Sequence, residues 1–305
     1  MNPGITIFNK IFILSLSLLL LAVLLSSCDI YEQDNYTELV VVEAYMVANR
    51  PLPEIIISRT SPVEQAYTKE DLILTGADLQ IVLLDPSGDD LQIFSYSFNH
   101  DQNTYLPDEP HRVQPRQRYR LDVHFNDRNE IIRAYTTIPD QFETLNDIPE
   151  SVIYQSNEQL ELSISAPGQL GSQNVFVFST RSLEPEVENL TPFYRAAYDN
   201  DDIKLSDVLI NSSGLINEGN FEINPDGTIT LRFPWIGVAF YGESEIIINS
   251  VDRNLDELIR SQQVQLGGST LSPGEIPNIT YNIEGGIGIF GSISSDTTRT
   301  NFLRQ

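Results

Sequence analysis

The sequence predicts a mainly β protein with two β-rich domains, of which the first is a β-sandwich. Short runs with β-type alternation recur between turn residues from Leu39 onward. No helical period interrupts them before a Pro-containing break at residues 141–150, and a similar rhythm resumes after the break. With 41% hydrophobic residues, the chain can bury a core.

The clearest run in the first block is 118–125. Tyr119, Leu121, Val123 and Phe125 alternate with polar residues, as in a strand with one buried face. Residues 86–90 and 126–129 have the composition of hairpin turns. The strands predicted for this block are Leu39–Val47, Glu54–Ser58, Ala77–Leu84, Leu91–Phe98, Arg118–Phe125 and Ile131–Thr137.

The second block follows the linker and continues to the end of the chain. Asp252 is the predicted N-cap of one helix, with Leu255, Leu258 and Ile259 on its apolar face. The sequence predicts no clear secondary structure for residues 181–222, and a long insertion is one interpretation of this segment. The predicted strands are Leu160–Ser165, Asn174–Ser179, Thr228–Phe233 and Glu245–Ser250. The predicted organisation is 1–27 signal peptide, 28–38 acidic tether, 39–140 β-sandwich domain, 141–150 linker and 151–305 second domain.

The N-terminus is typical of an exported lipoprotein. Lys10 precedes the 15-residue apolar run Ile11–Leu25, which is short for a membrane span of about 20 residues. Leu25-Ser26-Ser27-Cys28 then resembles a lipobox, in which the Cys28 thiol accepts the lipid. Cleavage before Cys28 and a lipid anchor are therefore expected. An uncleaved anchor, or a plain signal peptide with a chance cysteine, is the alternative.

The mature chain is strongly acidic. Residues 1–27 contain one base and no acid, so 17 basic and 43 acidic residues remain, a net charge of −26. This charge argues against binding nucleic acid or anionic lipid, and it equally suits plain solubility.

Several segments together resemble one family of Bacteroidota outer-membrane lipoproteins, domain of unknown function 4249. They are the lipobox, Val40–Ala44, Thr75–Leu79, Tyr119–Val123, Thr136–Pro139 and Asn282–Gly291, in this order. The resemblance spans Cys28 to about Ser295. It implies a first domain similar to transthyretin-like or immunoglobulin-like sandwiches, an outer-membrane address and association with TonB-dependent uptake systems. It implies no catalytic residue.

No cofactor, metal or catalytic site is predicted. Gly286–Gly291 has the G-x-G-x-x-G spacing, but no helix follows, so close strand approach is the better interpretation. Asp199–Asp202 does not fit an EF-hand, and a solvated loop is favoured over an irregular calcium site. His100, His111 and His124 lack ligand spacing and are interpreted as surface residues.

One basic strip is a candidate docking surface. His111–Arg120 contains four of the 17 mature basic residues, and we assign docking to Arg116, Arg118 and Arg120. An acidic partner or a lipopolysaccharide phosphate would suit them. Local compensation of neighbouring acids, such as Asp122, is the alternative and the favoured interpretation.

Two functions are consistent with the sequence. The first is a non-enzymatic accessory or binding component of a TonB-dependent uptake system, held at the outer membrane by lipid on Cys28. The second is a surface hydrolase acting on glycan or peptide, since 43 acids offer many carboxylate pairs. The lack of any catalytic motif favours the first. Which face of the membrane the protein occupies stays open.

Overall fold

The computed structural model describes residues 36–125, 131–157, 159–165, 174–266 and 278–305. The predicted signal peptide, Cys28, most of the predicted tether and the predicted turn at 126–129 lie outside these residues. The described strands are β1 Val40–Val47, β2 Ile56–Arg59, β3 Ala77–Leu84, β4 Asp90–Asn99, β5 Thr104–Pro107, β6 Arg118–Phe125, β7 Ile131–Thr137, β8 Ser151–Ile153, β9 Glu161–Ile164, β10 Val175–Ser182, β11 Ile210–Ser212, β12 Ile216–Asn217, β13 Glu222–Ile223, β14 Ile229–Arg232, β15 Gly242–Val251, β16 Ile283–Glu284 and β17 Ile287–Leu303.

Three α-helices occur in the described part of the chain, and the mainly β class is confirmed. The helices are α1 Lys69–Leu72, α2 Pro192–Asp199 and α3 Arg253–Leu266. None of them is long and apolar enough to cross a membrane. Only α3 was predicted. The unassigned segment 181–222 contains α2, short 3-10 turns and the short strands β11 and β12.

The first block forms a two-layer β structure, as predicted. One layer is a six-stranded sheet in the order β16-β7-β6-β3-β4-β5, and β1 and β2 belong to the facing layer. Tyr119, Leu121, Val123 and Phe125 of β6 are buried, while its other residues are more exposed, because side chains alternate along a strand. They share one hydrophobic core with Val42 and other residues of β1.

One eight-stranded sheet contains strands from both sides of the predicted linker. Its main order is β11-β10-β15-β17-β1-β2, so strands from both blocks pair in it. β17 runs parallel to β1 and antiparallel to β15. A separate three-stranded sheet has the order β13-β14-β9. The division into two domains at 141–150 stays a prediction.

In sequence, the boundary between the residues of the two main hydrophobic cores nevertheless lies close to 141–150. The first contains buried residues from Val40 to Ile138, with Ile283 and Phe290 added from the C-terminal part. The second begins at Phe142 and extends to Phe302. Both therefore contain residues of β17, whose 17 residues connect them.

The predicted N-cap of the long helix is confirmed. The Asp252 carboxylate accepts a hydrogen bond from the Leu255 backbone N–H at 2.9 Å, which satisfies one free donor of the first turn. Leu255 and Leu258 are buried against Val175, Val251 and Ile289 in a smaller core. This packing fixes α3 on the eight-stranded sheet.

Candidate functional site

The three arginines assigned to docking are each engaged within the fold. Arg116 lies in a turn and forms an ion pair with Asp140. The Arg118 guanidinium lies 4.6 Å from the centre of the Tyr135 ring, within cation–π distance. Arg116 is 65% exposed at its side chain, whereas Arg120 is 14% exposed.

Arg120 belongs to a charge network on the outer face of the six-stranded sheet. Its guanidinium contacts Asp90 and Asp122 at 2.7 Å each, and Asp122 also pairs with Arg133 at 2.7 Å. The hydrogen bond from Arg120 holds the pKa of Asp90 below its usual value. These contacts are those expected for local compensation of neighbouring acids. Docking through Arg116, Arg118 and Arg120 stays a prediction.

The interpretation of His111 as a surface residue holds only in part, because its side chain is partly buried. Its ring stacks on Phe94 with 4.2 Å between centroids, and its Nε2 lies 3.0 Å from the Tyr119 hydroxyl. Partial burial lowers its pKa. The sequence did not indicate the stacking because Phe94 lies on β4, and only the fold brings β4 beside the segment that contains His111. His100 and His124 are exposed.

The glycine-rich segment allows close strand approach, as interpreted from the sequence. Gly288 has a φ of +109°, and a Cβ there would collide with the carbonyl oxygen of Val42 on β1. At Gly291 a Cβ would lie 2.6 Å from Cγ of Leu255 on α3. The glycines thus permit β17 to approach both β1 and α3.

The Asp199–Asp202 segment ends α2 and continues into an exposed turn. Asp199 pairs with Arg195 one helical turn earlier, and Asp201 adopts a positive φ of 59°. In the described ranges, no group of three or more His, Cys, Asp or Glu residues is arranged to hold a metal ion.

A groove of about 1060 Å³ lies beside β8, and we call it the β8 groove. Its apolar part includes the half-exposed side chains of Ile153 and Leu303. Its polar part includes the charged residues Asp147, Glu161 and Arg232. The lining residues are Asn146, Asp147, Pro149, Ser151, Val152, Ile153, Ser156, Asn157, Gln159, Leu160, Glu161, Arg232 and Leu303.

One edge of β8 faces this groove. β8 runs parallel to the end of β17, where Asn301 N–H donates to Glu150 O and Tyr154 N–H donates to Leu303 O. Backbone groups alternate in direction along a strand, so those of Ser151 and Ile153 point away from β17. No other described strand pairs with this edge.

The Asn146 side chain shapes the opposite wall. Its amide nitrogen donates to the carbonyl oxygen of Glu161 at 3.0 Å, and its amide oxygen accepts from the backbone N–H of Ser163 at 2.6 Å. The side-chain amide thereby makes the same pair of hydrogen bonds with β9 that the backbone of a neighbouring strand would make. The chain can then leave β9 after Asn146, which opens the groove.

An ion-pair group borders the groove on the three-stranded sheet. Arg232 of β14 pairs with Glu161 of β9 at 2.8 Å and with Glu222 of β13 at 3.4 Å. Contact with Glu161 raises the pKa of Arg232. Because these side chains are more than half exposed, they can exchange partners at little cost.

Sequence reasoning missed this groove because most of its residues fall in the predicted linker and the start of the second block, whereas Arg232 and Leu303 lie much later in the chain. From the sequence, residues 141–150 were interpreted only as a Pro-containing break. Their proximity to Arg232 depends on pairing between β9 and β14, which are more than 60 residues apart in sequence.

Two solved structures resemble the chain only distantly. The three N-terminal domains of the bacteriophage RB49 Highly Immunogenic Outer Capsid protein (Hoc) are 10% identical, with 88% of this chain and 71% of that chain covered and a TM-score of 0.21. The chicken CNTN1 FN1–FN3 domains are 12% identical, with 68% of this chain and 59% of that chain covered and a TM-score of 0.22. Scores this low do not define a shared fold.

A search of the curated proteins finds no match. The family model described as Domain of unknown function (DUF4249) matches residues 27–299, which is most of the chain. The chain therefore belongs to this family.

Proposed function

We propose that the chain is a non-enzymatic binding protein, anchored in the outer membrane by lipid on Cys28, and an accessory of a TonB-dependent uptake system. The lipobox and the acidic tether support the anchor. The family resemblance described from the sequence supports the uptake role.

The unpaired edge of β8 in an open groove is the observation that carries the binding role. Free strand edges bind extended segments through backbone hydrogen bonds, while adjacent side chains select the sequence. Here the backbone N–H and C=O of Ser151 and the N–H of Ile153 are the groups that can bind such a segment. The C=O of Ile153 is not one of them, because it already accepts a hydrogen bond from Ser156 N–H. The Ile153 and Leu303 side chains offer apolar contact. The occupant proposed is an extended segment of the uptake receptor.

A photo-crosslinking side chain at Ile153 tests this binding in native membranes. We expect it to capture a TonB-dependent receptor, whereas the same group at the exposed Ile131, on the other sheet, should not. Ser151→Pro should abolish capture because it removes an outward N–H, while Ser151→Ala keeps that N–H and should preserve capture.

Equal capture from positions 153 and 131, or capture that survives Ser151→Pro, would contradict the groove. Turnover of a glycan or peptide by the purified protein, abolished by Glu161→Gln, would instead favour a hydrolase.

The anchor is tested separately. Cys28→Ala should prevent lipid labelling and leave unprocessed precursor. If this variant is still cleaved after Ser27 and still remains membrane-bound, the lipid anchor is wrong.

A further inference from the structure

A second, smaller cavity lies between α2, β11 and residues 233–237. Its volume is about 170 Å³, and it shares no lining residue with the β8 groove. A cavity of about 150 Å³ lined by apolar side chains holds a benzene ring. This cavity thus has room for one aromatic or branched aliphatic side chain. Its apolar lining includes Phe178, Tyr194, Phe233, Pro234 and Ile236.

The polar groups around the cavity already have partners. The Tyr194 hydroxyl donates to Ile236 O at 2.7 Å and accepts from the Asn211 amide at 2.7 Å. The Ser212 hydroxyl lies 2.8 Å from that of Ser179, and the Ser213 hydroxyl donates to Gly214 O at 2.8 Å. An apolar occupant therefore needs no polar group of its own here.

Two exposed apolar side chains, Phe193 and Ile236, adjoin the same cavity. Phe193 is 58% exposed, and its ring lies 5.0 Å from that of Tyr194. Ile236 itself lines the cavity and is 52% exposed. A pocket with an apolar rim is typical of an interface centre, where one anchoring side chain is desolvated by its neighbours.

The negative charge near this surface favours a basic partner. Residues 183–210 supply Phe193 and Tyr194, and they carry seven acidic residues against two basic ones. Asp199, Asp201, Asp202 and Asp207 are exposed. A second copy of this acidic chain would be repelled, whereas a basic segment would be attracted.

We propose that the cavity between α2 and β11 binds a basic segment of another protein, which inserts one aromatic or branched aliphatic side chain. The rim residues Phe193 and Ile236 pack around the inserted side chain, and the carboxylates of 183–210 attract the flanking Lys or Arg residues. The surface is independent of the β8 groove.

The test uses the full chain in detergent and a fluorescein-labelled peptide of alternating Lys and Phe. Two counterpart peptides carry Glu for Lys or Ser for Phe. Fluorescence anisotropy should show the Lys/Phe peptide binding at least about tenfold tighter than either counterpart. The affinity should fall as salt rises from about 0.05 to 0.3 M, because exposed charges are screened.

Paired variants locate the binding. Phe193→Ser with Ile236→Ser should weaken binding of the Lys/Phe peptide about tenfold. Leu91→Ser with Ile93→Ser is the control, because these residues are 65% and 52% exposed on the outer face of β4. The control should bind like the unaltered protein. Asp201→Asn with Asp202→Asn should weaken binding and flatten its salt dependence.

Three results would overturn the proposal. They are no binding of the Lys/Phe peptide, equal binding of the Glu counterpart, and unchanged affinity in the Phe193→Ser/Ile236→Ser variant. A concentration-dependent dimer in sedimentation that this variant abolishes would also overturn it, in favour of self-association. Circular dichroism of each variant should match the unaltered protein.

Discussion

At the residue scale, two phenols in the first core differ in hydrogen bonding. The Tyr105 hydroxyl donates to Leu74 O at 2.9 Å and accepts from Ala77 N–H at 3.0 Å. The Tyr96 hydroxyl is buried and has no hydrogen-bond partner among the described residues. A buried polar group without a partner costs about 1–3 kcal/mol.

Tyr96→Phe should therefore stabilise the protein, by about 1 kcal/mol, because it removes the unpaired hydroxyl and keeps the ring. Tyr105→Phe is the matched control and should destabilise by a similar amount, since two partners lose their hydrogen bond. Urea unfolding measures both changes. A loss of stability in Tyr96→Phe would mean that its hydroxyl has a partner.

A second residue-scale feature is the buried carboxyl of Asp252. Thr136 Oγ1 lies 2.6 Å from it, and Ser292 Oγ lies 2.7 Å from Thr136 Oγ1. Burial is the largest influence and raises the pKa of Asp252 to about 6, although its hydrogen bonds lower it. The side chain thus caps α3 at the cost of a desolvated charge.

The pKa of Asp252 determines the sign of a pH effect. A folded-state pKa above the unfolded value means that the folded protein binds the proton more tightly. The raised pKa stabilises the folded protein by up to about 3 kcal/mol. This stabilisation is fully present below about pH 4 and is lost as the pH rises through about 6. Asp252→Asn should remove that pH dependence while keeping an N-cap acceptor.

The measurement is the free energy of unfolding of both proteins from about pH 4 to 7. Carboxyls such as Asp90 and Glu245, whose pKa is lowered by arginine partners, contribute in the opposite direction. They are common to both proteins, so their effect cancels in the difference. A difference that does not change with pH would contradict the buried-carboxyl explanation.

At the element scale, β17 depends on glycine where it meets β1. The parallel register pairs Val42 with Gly288, whose positive φ and lack of Cβ allow the two backbones to approach. The sequence interpretation included this close approach but missed the strand after it. Ser- and Thr-rich residues follow Gly291, and they form a strand because β15 pairs with them along ten positions.

Gly288→Ala should destabilise the protein by at least about 2 kcal/mol, since the methyl group collides with the Val42 carbonyl and φ is positive. Gly76→Ala is the control, because a Cβ added there would have no neighbour within 4 Å and the φ of Gly76 is not positive. Denaturant midpoints compare the two. Equal midpoints would show that β1 and β17 can separate locally without cost.

At the scale of the whole molecule, β17 joins the two main cores. Its residue Phe290 is fully buried in the first core, and Phe302 is buried in the second. β1 pairs with Ile287–Ile293 through seven positions of β17. The first block consequently depends on residues that lie 246 positions after their partners in β1.

A fragment of residues 39–140 should therefore not fold stably by itself. It lacks Phe290, Ile283 and the parallel partner of β1, so part of its core and one strand edge are exposed. Residues 39–305 are the control. Circular dichroism and hydrogen exchange should show a cooperative transition only for the longer protein. A cooperative transition in the fragment would instead support an independent first domain.

Local pattern was sufficient for several elements. β3, β6 and β7 begin and end at the predicted residues, because alternation between buried and exposed side chains is visible in sequence. Asp252 was recognised as an N-cap for a similar reason, since it precedes an apolar helical face. The short strands β8 and β11 were missed, because three residues contain no measurable period.

The sequence by itself determined the mainly β class, most strand positions of the first block and the capped helix, because each depends on residues close together in the chain. Only the tertiary structure decided that β17 pairs with both blocks, that Arg120 is neutralised by Asp90, and that the β8 groove and the cavity beside α2 exist. These features depend on contacts across many residues, and the spacing of residue types does not specify which distant strands become neighbours.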